Sequence, residues 1–209
     1  TPEDEEANVK LMALKKREIE RTQEYFPPAH SFMKSETRRL IDQSPILEIM
    51  KRLPKGGILH GHGYAMGDFL WLIKHATYLP NCYIYQGKKE PPRQGAMSVS
   101  RESPGDGWRL VSDLRKAAAN VEEFDEELYQ SITLGEEDLG QQDIWAEFRK
   151  CFNRCAGMLR DEIRSGFYRK MLRDMIAENV QYVETRGGLG GPEIIEEIQR
   201  DYPEFKVKY

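Results

Sequence analysis

The sequence predicts an α/β chain whose strands are separated by helices and run parallel. Three observations predict it. The apolar run Gly57-Ile58-Leu59 ends in His60-Gly61-His62 and reads as a buried strand. Two helical patterns follow far downstream, Ile144 to Leu159 and Arg160 to Glu178, with apolar residues at helical spacing. The step Glu178-Asn179 then leads into a second strand, Val180 to Thr185, so the order is strand, insertion, helices, strand, as a parallel α/β barrel requires.

Taken in order, residues 3 to 24 are charge-rich and carry Val9, Leu11, Met12, Leu14 and Ile19, which suits an exposed helix with one apolar stripe. Phe26-Pro27-Pro28 breaks it, and a short helix follows from Ser35. Ser44-Pro45 is a helix start, an N-cap hydroxyl followed by Pro at the first helical position, and Ile46 to Arg52 feeds the Pro-Lys-Gly-Gly turn into the first strand. A helix carrying His75 ends near Pro80. From Pro80 to about Gln142 the pattern weakens, and Pro91-Pro92, Gly95, Pro104-Gly105 and Gly107 mark irregular chain with helices expected over Trp108 to Asn120 and Glu122 to Tyr129. Ile144, Phe148, Cys151, Phe152, Cys155 and Leu159 then share a helical face, and the next helix buries Ile163, Phe167, Met171, Leu172, Met175 and Ile176.

Composition narrows the class. Charged residues make up 32% with a net charge of −4, which argues against binding nucleic acid through a broad basic face. Hydrophobic residues make up 39%, and no apolar run reaches the ~18 residues needed to span a membrane. The N-terminal Thr1 is not an initiator residue and no apolar signal segment precedes it, so a processed start is one reading.

His60 and His62 stand at i and i+2, so on a strand both imidazoles leave the same side and can converge on one metal ion. That is half of a zinc site. A catalytic zinc takes three protein ligands and a water, and the only other histidines, His30 and His75, sit in unrelated contexts. The alternative is two histidines satisfied at a strand end. Cys151 and Cys155, at i and i+4, read either as ligands or a disulfide or as two small residues on an apolar helix face. Gly61 should point the other way, into packing.

Leu53-Pro54-Lys55-Gly56-Gly57-Ile58-Leu59-His60-Gly61-His62 resembles the first-strand motif of the adenosine deaminase superfamily, and its Pro-Lys-Gly lead-in is similar to the adenosine deaminase-related growth factor branch. The resemblance continues in order through Leu11-Met12, Phe26-Pro27-Pro28, residues 76–81, 120–125 and 144–148. It then covers Val180 to Arg186, similar to a second barrel strand, and Tyr202 to Val207, similar to the approach to a third.

The resemblance implies the N-terminal part of a (β/α)8 barrel of the metal-dependent hydrolase type. It would comprise a helical extension over 1–45, the barrel start over 46–80, an inserted lobe over 81–142, and barrel helices with the second strand over 143–209. It implies Zn2+ held by His60 and His62, hydrolytic deamination of adenosine, and Trp145 and Glu184 as substrate contacts, with the remaining ligands and acid/base residues expected beyond Tyr209. It further implies a homodimer through the N-terminal helices and an extracellular location, a cytoplasmic one being the alternative. Two departures bear on the substrate: Gly63 stands where the family has an Asp, and Arg149 where the branch has a Glu. They keep open a related hydrolase with another substrate, or a non-catalytic growth-factor-like interaction protein.

Overall fold

Alternating and helical periodicities in this chain fold into helices and two small sheets. The computed structural model describes residues 1–21, 35–87, 96–135, 138 and 143–209. The expected break at Phe26-Pro27-Pro28, His30, and the Pro91-Pro92 and Gly95 segment lie outside the described residues. The chain divides into two compact units, Thr1–Lys55 and Gly56–Tyr209.

The first unit holds α1 (Pro2–Arg21), α2 (Ser35–Asp42) and α3 (Pro45–Arg52). Ser44 caps α3 as its sequence indicates: its side-chain oxygen accepts from the Leu47 N–H at 3.2 Å. The same hydroxyl donates to Glu18 Oε1 at 2.5 Å, and that oxygen also accepts from the Ile46 N–H at 3.3 Å. An anion from α1 thus sits at the positive end of α3. Beside this cap lies a groove of about 460 Å³ lined by Ile19, Leu40, Ile41, Leu47 and Met50. No residue of α1 is buried, and Val9 and Met12 are 68% and 50% exposed.

The second unit begins with β1 (Gly56–His62), a 3-10 turn over Gly63–Ala65, and α4 (Phe69–Ala76). An inserted lobe follows, with β2 (Cys82–Tyr85), β3 (Met97–Val99), β4 (Trp108–Leu110), α5 (Val111–Ala117) and α6 (Val121–Gln130). Next come α7 (Ile144–Cys155), α8 (Asp161–Ala177), β5 (Val180–Arg186), α9 (Pro192–Asp201) and β6 (Lys206–Lys208). Strands β1, β5 and β6 form one parallel sheet in the order β1-β5-β6. Val183 of β5 joins Leu72 and Ile73 of α4, Phe167 and Leu172 of α8, and Ile194 and Ile198 of α9 in one buried cluster. Each such side chain contributes about 1.5–3 kcal/mol on burial. The α/β class with a parallel sheet and covering helices is the expected one, and it is compatible with part of a barrel.

The lobe differs from its sequence reading by carrying a three-stranded sheet. Trp108 to Leu110 is a strand, not the start of a helix, and β2 pairs antiparallel with both β3 and β4. The period is two over these residues: Trp108 is buried, Arg109 exposed and Leu110 half-buried. Trp108 pairs with Tyr85 across the ladder, ring centroids 5.6 Å apart, so a cross-strand aromatic contact outweighs local helical preference.

A buried ionic cluster ties the lobe to α4. Asp125 of α6, 2% exposed, accepts from Lys74 Nζ at 2.7 Å, the Tyr78 hydroxyl at 2.6 Å and Arg115 Nε at 3.0 Å. The Arg115 guanidinium also donates to the Thr77 carbonyl and hydroxyl, and lies 3.9 Å from the Tyr78 ring centroid. Burial pushes the Asp125 pKa up, but the hydrogen bonds from Lys74, Tyr78 and Arg115 outweigh it and hold the carboxyl below its ordinary value. The folded pKa is therefore the lower one. Stability from this site is fully present above the ordinary carboxylate range and is lost as pH falls through the folded value. Asp125→Ala should lower unfolding stability by about 3–5 kcal/mol in urea at neutral pH, because it strands a buried guanidinium. A loss below about 1 kcal/mol would show that the cluster does not hold the lobe.

Candidate site at the end of the first strand

The parallel ladder places Gly61 opposite Thr185 and His62 opposite Arg186, whereas Ile58 lies opposite Val183. Between those pairs β1 spends three steps where β5 spends two, a bulge that resets the alternation of faces. Ile58 and Gly61 consequently share a side: a Cβ on Gly61 would lie 3.5 Å from Ile58 Cγ2 and only 2.2 Å from Met66 Sδ. Gly61 is buried there because Met66 fills the space a side chain would need. His60 and His62 are exposed, with ring centroids 5.4 Å apart. The two imidazoles come together as expected of i, i+2 positions.

Arg186, across the ladder, donates from Nε to His60 Nδ1 at 3.4 Å. In a neutral ring that bond leaves the proton on Nε2. Glu184, on the same strand, accepts from the Tyr182 hydroxyl at 2.6 Å and from Lys208 Nζ at 3.4 Å. The Tyr182 hydrogen bond, with help from Lys208, holds the Glu184 carboxyl below its ordinary pKa, and the same bond raises that of Tyr182. Glu184 is half-buried and occupied by these partners. Trp145 is 66% exposed, so it is not a core aromatic of α7. Of the helical face that the sequence marks on α7, only Cys155 is buried.

As zinc ligands the His pair fits as half a coordination shell: two nitrogen donors on one side of a strand, open to solvent. The Arg186 cation has to leave Nδ1, or the ring has to turn, before His60 presents a free lone pair. Among the described residues no group of three His, Cys, Asp or Glu side chains is placed to hold a metal. His75 is engaged elsewhere, stacked 3.9 Å from the Trp71 ring with Nδ1 2.7 Å from the Trp71 carbonyl oxygen. Cys82, Cys151 and Cys155 are free thiols. Burial pushes Cys155 up to about 12, and its Sγ contacts the Phe152 carbonyl, so it serves as a small packing residue.

Two neighbours of the pair carry information that spacing does not. Gly63 is buried, and a Cβ there would meet Leu189 Cδ2 at 2.9 Å and Tyr168 Cε1 at 3.2 Å, so a larger residue requires these side chains to shift. Tyr64, next along the turn, is 44% exposed with its ring 6.3 Å from His62 and 5.4 Å from Phe152. A lone tyrosine in a turn has no period, and only the His-Gly-His-Gly context marked the place.

A parallel sheet with converging imidazoles at the C-terminal end of its first strand has the layout in which α/β proteins hold ligands. No family model matches the chain. It is 32% identical to adenosine deaminase 2-A of Danio rerio over 192 residues, 85% of this chain and 36% of the relative. It is 31% identical to adenosine deaminase 2 of Sus scrofa over 209 aligned residues, 90% of this chain and 39% of the relative. It is 28% identical to an adenosine deaminase of Aedes albopictus across 100% of this chain and 42% of the relative. The chain is thus similar to proteins named adenosine deaminase 2 and adenosine deaminase, and it spans about two fifths of their length.

Proposed function

We propose that this chain supplies the first part of a zinc-dependent adenosine deaminase, releasing inosine and ammonia by hydrolysis. One observation carries the reading: His60 and His62 converge at the C-terminal end of the first parallel strand in a chain whose relatives are named adenosine deaminases. His60 and His62 would hold the metal. Zinc bound there would supply a water of lowered pKa as the nucleophile. Trp145, exposed on α7, offers a face for the purine, and Glu184, with its charge fixed by Tyr182, is the candidate acceptor for a substrate hydroxyl. The other ligands and the acid/base groups lie outside these 209 residues in this reading. An extracellular location goes with it. No described helix is long and apolar enough to cross a membrane.

A hydrolase of the same family with a different substrate is the second reading. It is favoured by Gly63, which offers no carboxylate where the resemblance expects an Asp.

In the full-length protein, His62→Ala should remove bound zinc and lower ammonia release from adenosine by at least ~10²-fold, the scale of losing a principal metal contact. Zinc content by elemental analysis and turnover measured on the same sample give the check; a variant that keeps both rules the ligand role out. The isolated 209-residue chain should lose zinc on dialysis, since half a shell forfeits most of the coordination energy.

We further propose that α1 mediates homodimerisation, because Val9, Met12 and Ile19 are exposed on it. Removal of residues 1–21 should convert the full-length dimer to a monomer by light scattering. A dimer of unchanged mass would exclude α1 from the interface.

A further inference from the structure

An unbroken series of edge-to-face rings runs from the imidazole pair along α7. His62 meets Tyr64 at 6.3 Å, Tyr64 meets Phe152 at 5.4 Å and 82°, Phe152 meets Phe148 at 4.8 Å and 85°, and Phe148 meets Trp145 at 5.7 Å and 88°. These rings are not a core. Trp145, Phe148 and Tyr64 are 66%, 40% and 44% exposed, although an aromatic stripe at positions i, i+3 and i+7 of a helix ordinarily faces packing. Large rings left in water in one contiguous ridge mark a binding surface.

Two observations choose the occupant. The ridge starts at the C-terminal end of β1, where parallel α/β sheets take small ligands, and its first ring is directly beside His62. Four rings are also far short of the ~20–30 residues that a standard protein interface uses on each side. Aromatic side chains with few polar groups nearby are the ordinary lining of a site for a flat heteroaromatic molecule. Arg186, exposed and hydrogen-bonded to His60, provides such a group.

We infer that Tyr64 is the specificity-determining residue of the nucleoside site, its ring packing against the purine base where Phe152 and His62 hold it edge-on. The inference rests on the proposed deaminase reading and adds a residue to it. Phe152 fixes one edge of Tyr64, which lowers the entropy the ring loses when a base docks. Phe148 and Trp145 extend the same surface away from the imidazoles, Trp145 offering the base a second aromatic face.

Steady-state kinetics with adenosine on the full-length protein test this, with zinc content measured on each sample. Tyr64→Ala should raise KM roughly tenfold, the scale of losing one base–aromatic contact, while kcat falls far less and zinc stays bound. Tyr64→Phe, which keeps the ring, should restore KM to within about twofold of the parent. If Tyr64→Ala does not fold, Phe148→Ala, an exposed position, should raise KM roughly threefold. An unchanged KM in the folded alanine variant, or a fall in kcat and zinc together at constant KM, overturns the inference and leaves the deaminase reading standing. Absence of nucleoside turnover in the parent protein overturns both.

Discussion

The bulged parallel ladder between β1 and β5 is the constraint on which the site depends. A strand alternates strictly, so Ile58, His60 and His62 would share one face of a regular β1. Burying Ile58 against the helices would then bury the imidazoles, and exposing the imidazoles would strand Ile58 in water. The extra step between Ile58 and Gly61 removes the conflict. Ile58 and Gly61 face inward with Met66, and His60 and His62 face out. The compromise falls on Leu59, which ends 66% exposed. That is a local sacrifice of about one aliphatic side chain for the placement of two imidazoles.

The helical layer keeps that ladder in place from behind, and the Asp125 cluster keeps the inserted lobe in place beside it. Arg115 and Asp125 are both nearly inaccessible, yet every buried side-chain polar atom among the described residues has a partner. A buried ion pair is seldom a net gain over apolar packing, but it is exacting about geometry. Here it fixes α4 against α5 and α6 through Lys74, Tyr78 and Thr77. Because α4 is the first helix after the His-bearing strand β1, the lobe's position and the site's position are set through the same helix.

The elements with long periods were legible in the sequence. β1, β5 and α8 follow from apolar runs and order, the cap at Ser44 follows from two residues, and β6, the parallel partner of β5, was reached only through the resemblance of Tyr202 to Val207. The antiparallel sheet of the lobe was not legible, because strands of three or four residues give no alternation to count, and Trp108 to Leu110 passes equally for a helix start. Spacing along α7 placed Phe148 and Phe152 on one face, but could not say that Trp145 joins them or that the rings are uncovered. The hydrogen-bond partners of Glu184 and Arg186 are Tyr182, Lys208 and His60, two of them on neighbouring strands. Sequence proximity is blind to cross-strand neighbours.

The role proposed for the bulge is to aim His60 and His62 at one metal ion. Zinc-edge X-ray absorption on the full-length protein reads the number of imidazole ligands directly. The expected result is an imidazole contribution that drops by two when both His60 and His62 are changed to Gln, or loss of the metal altogether. A zinc spectrum of unchanged amplitude in that double variant would contradict it.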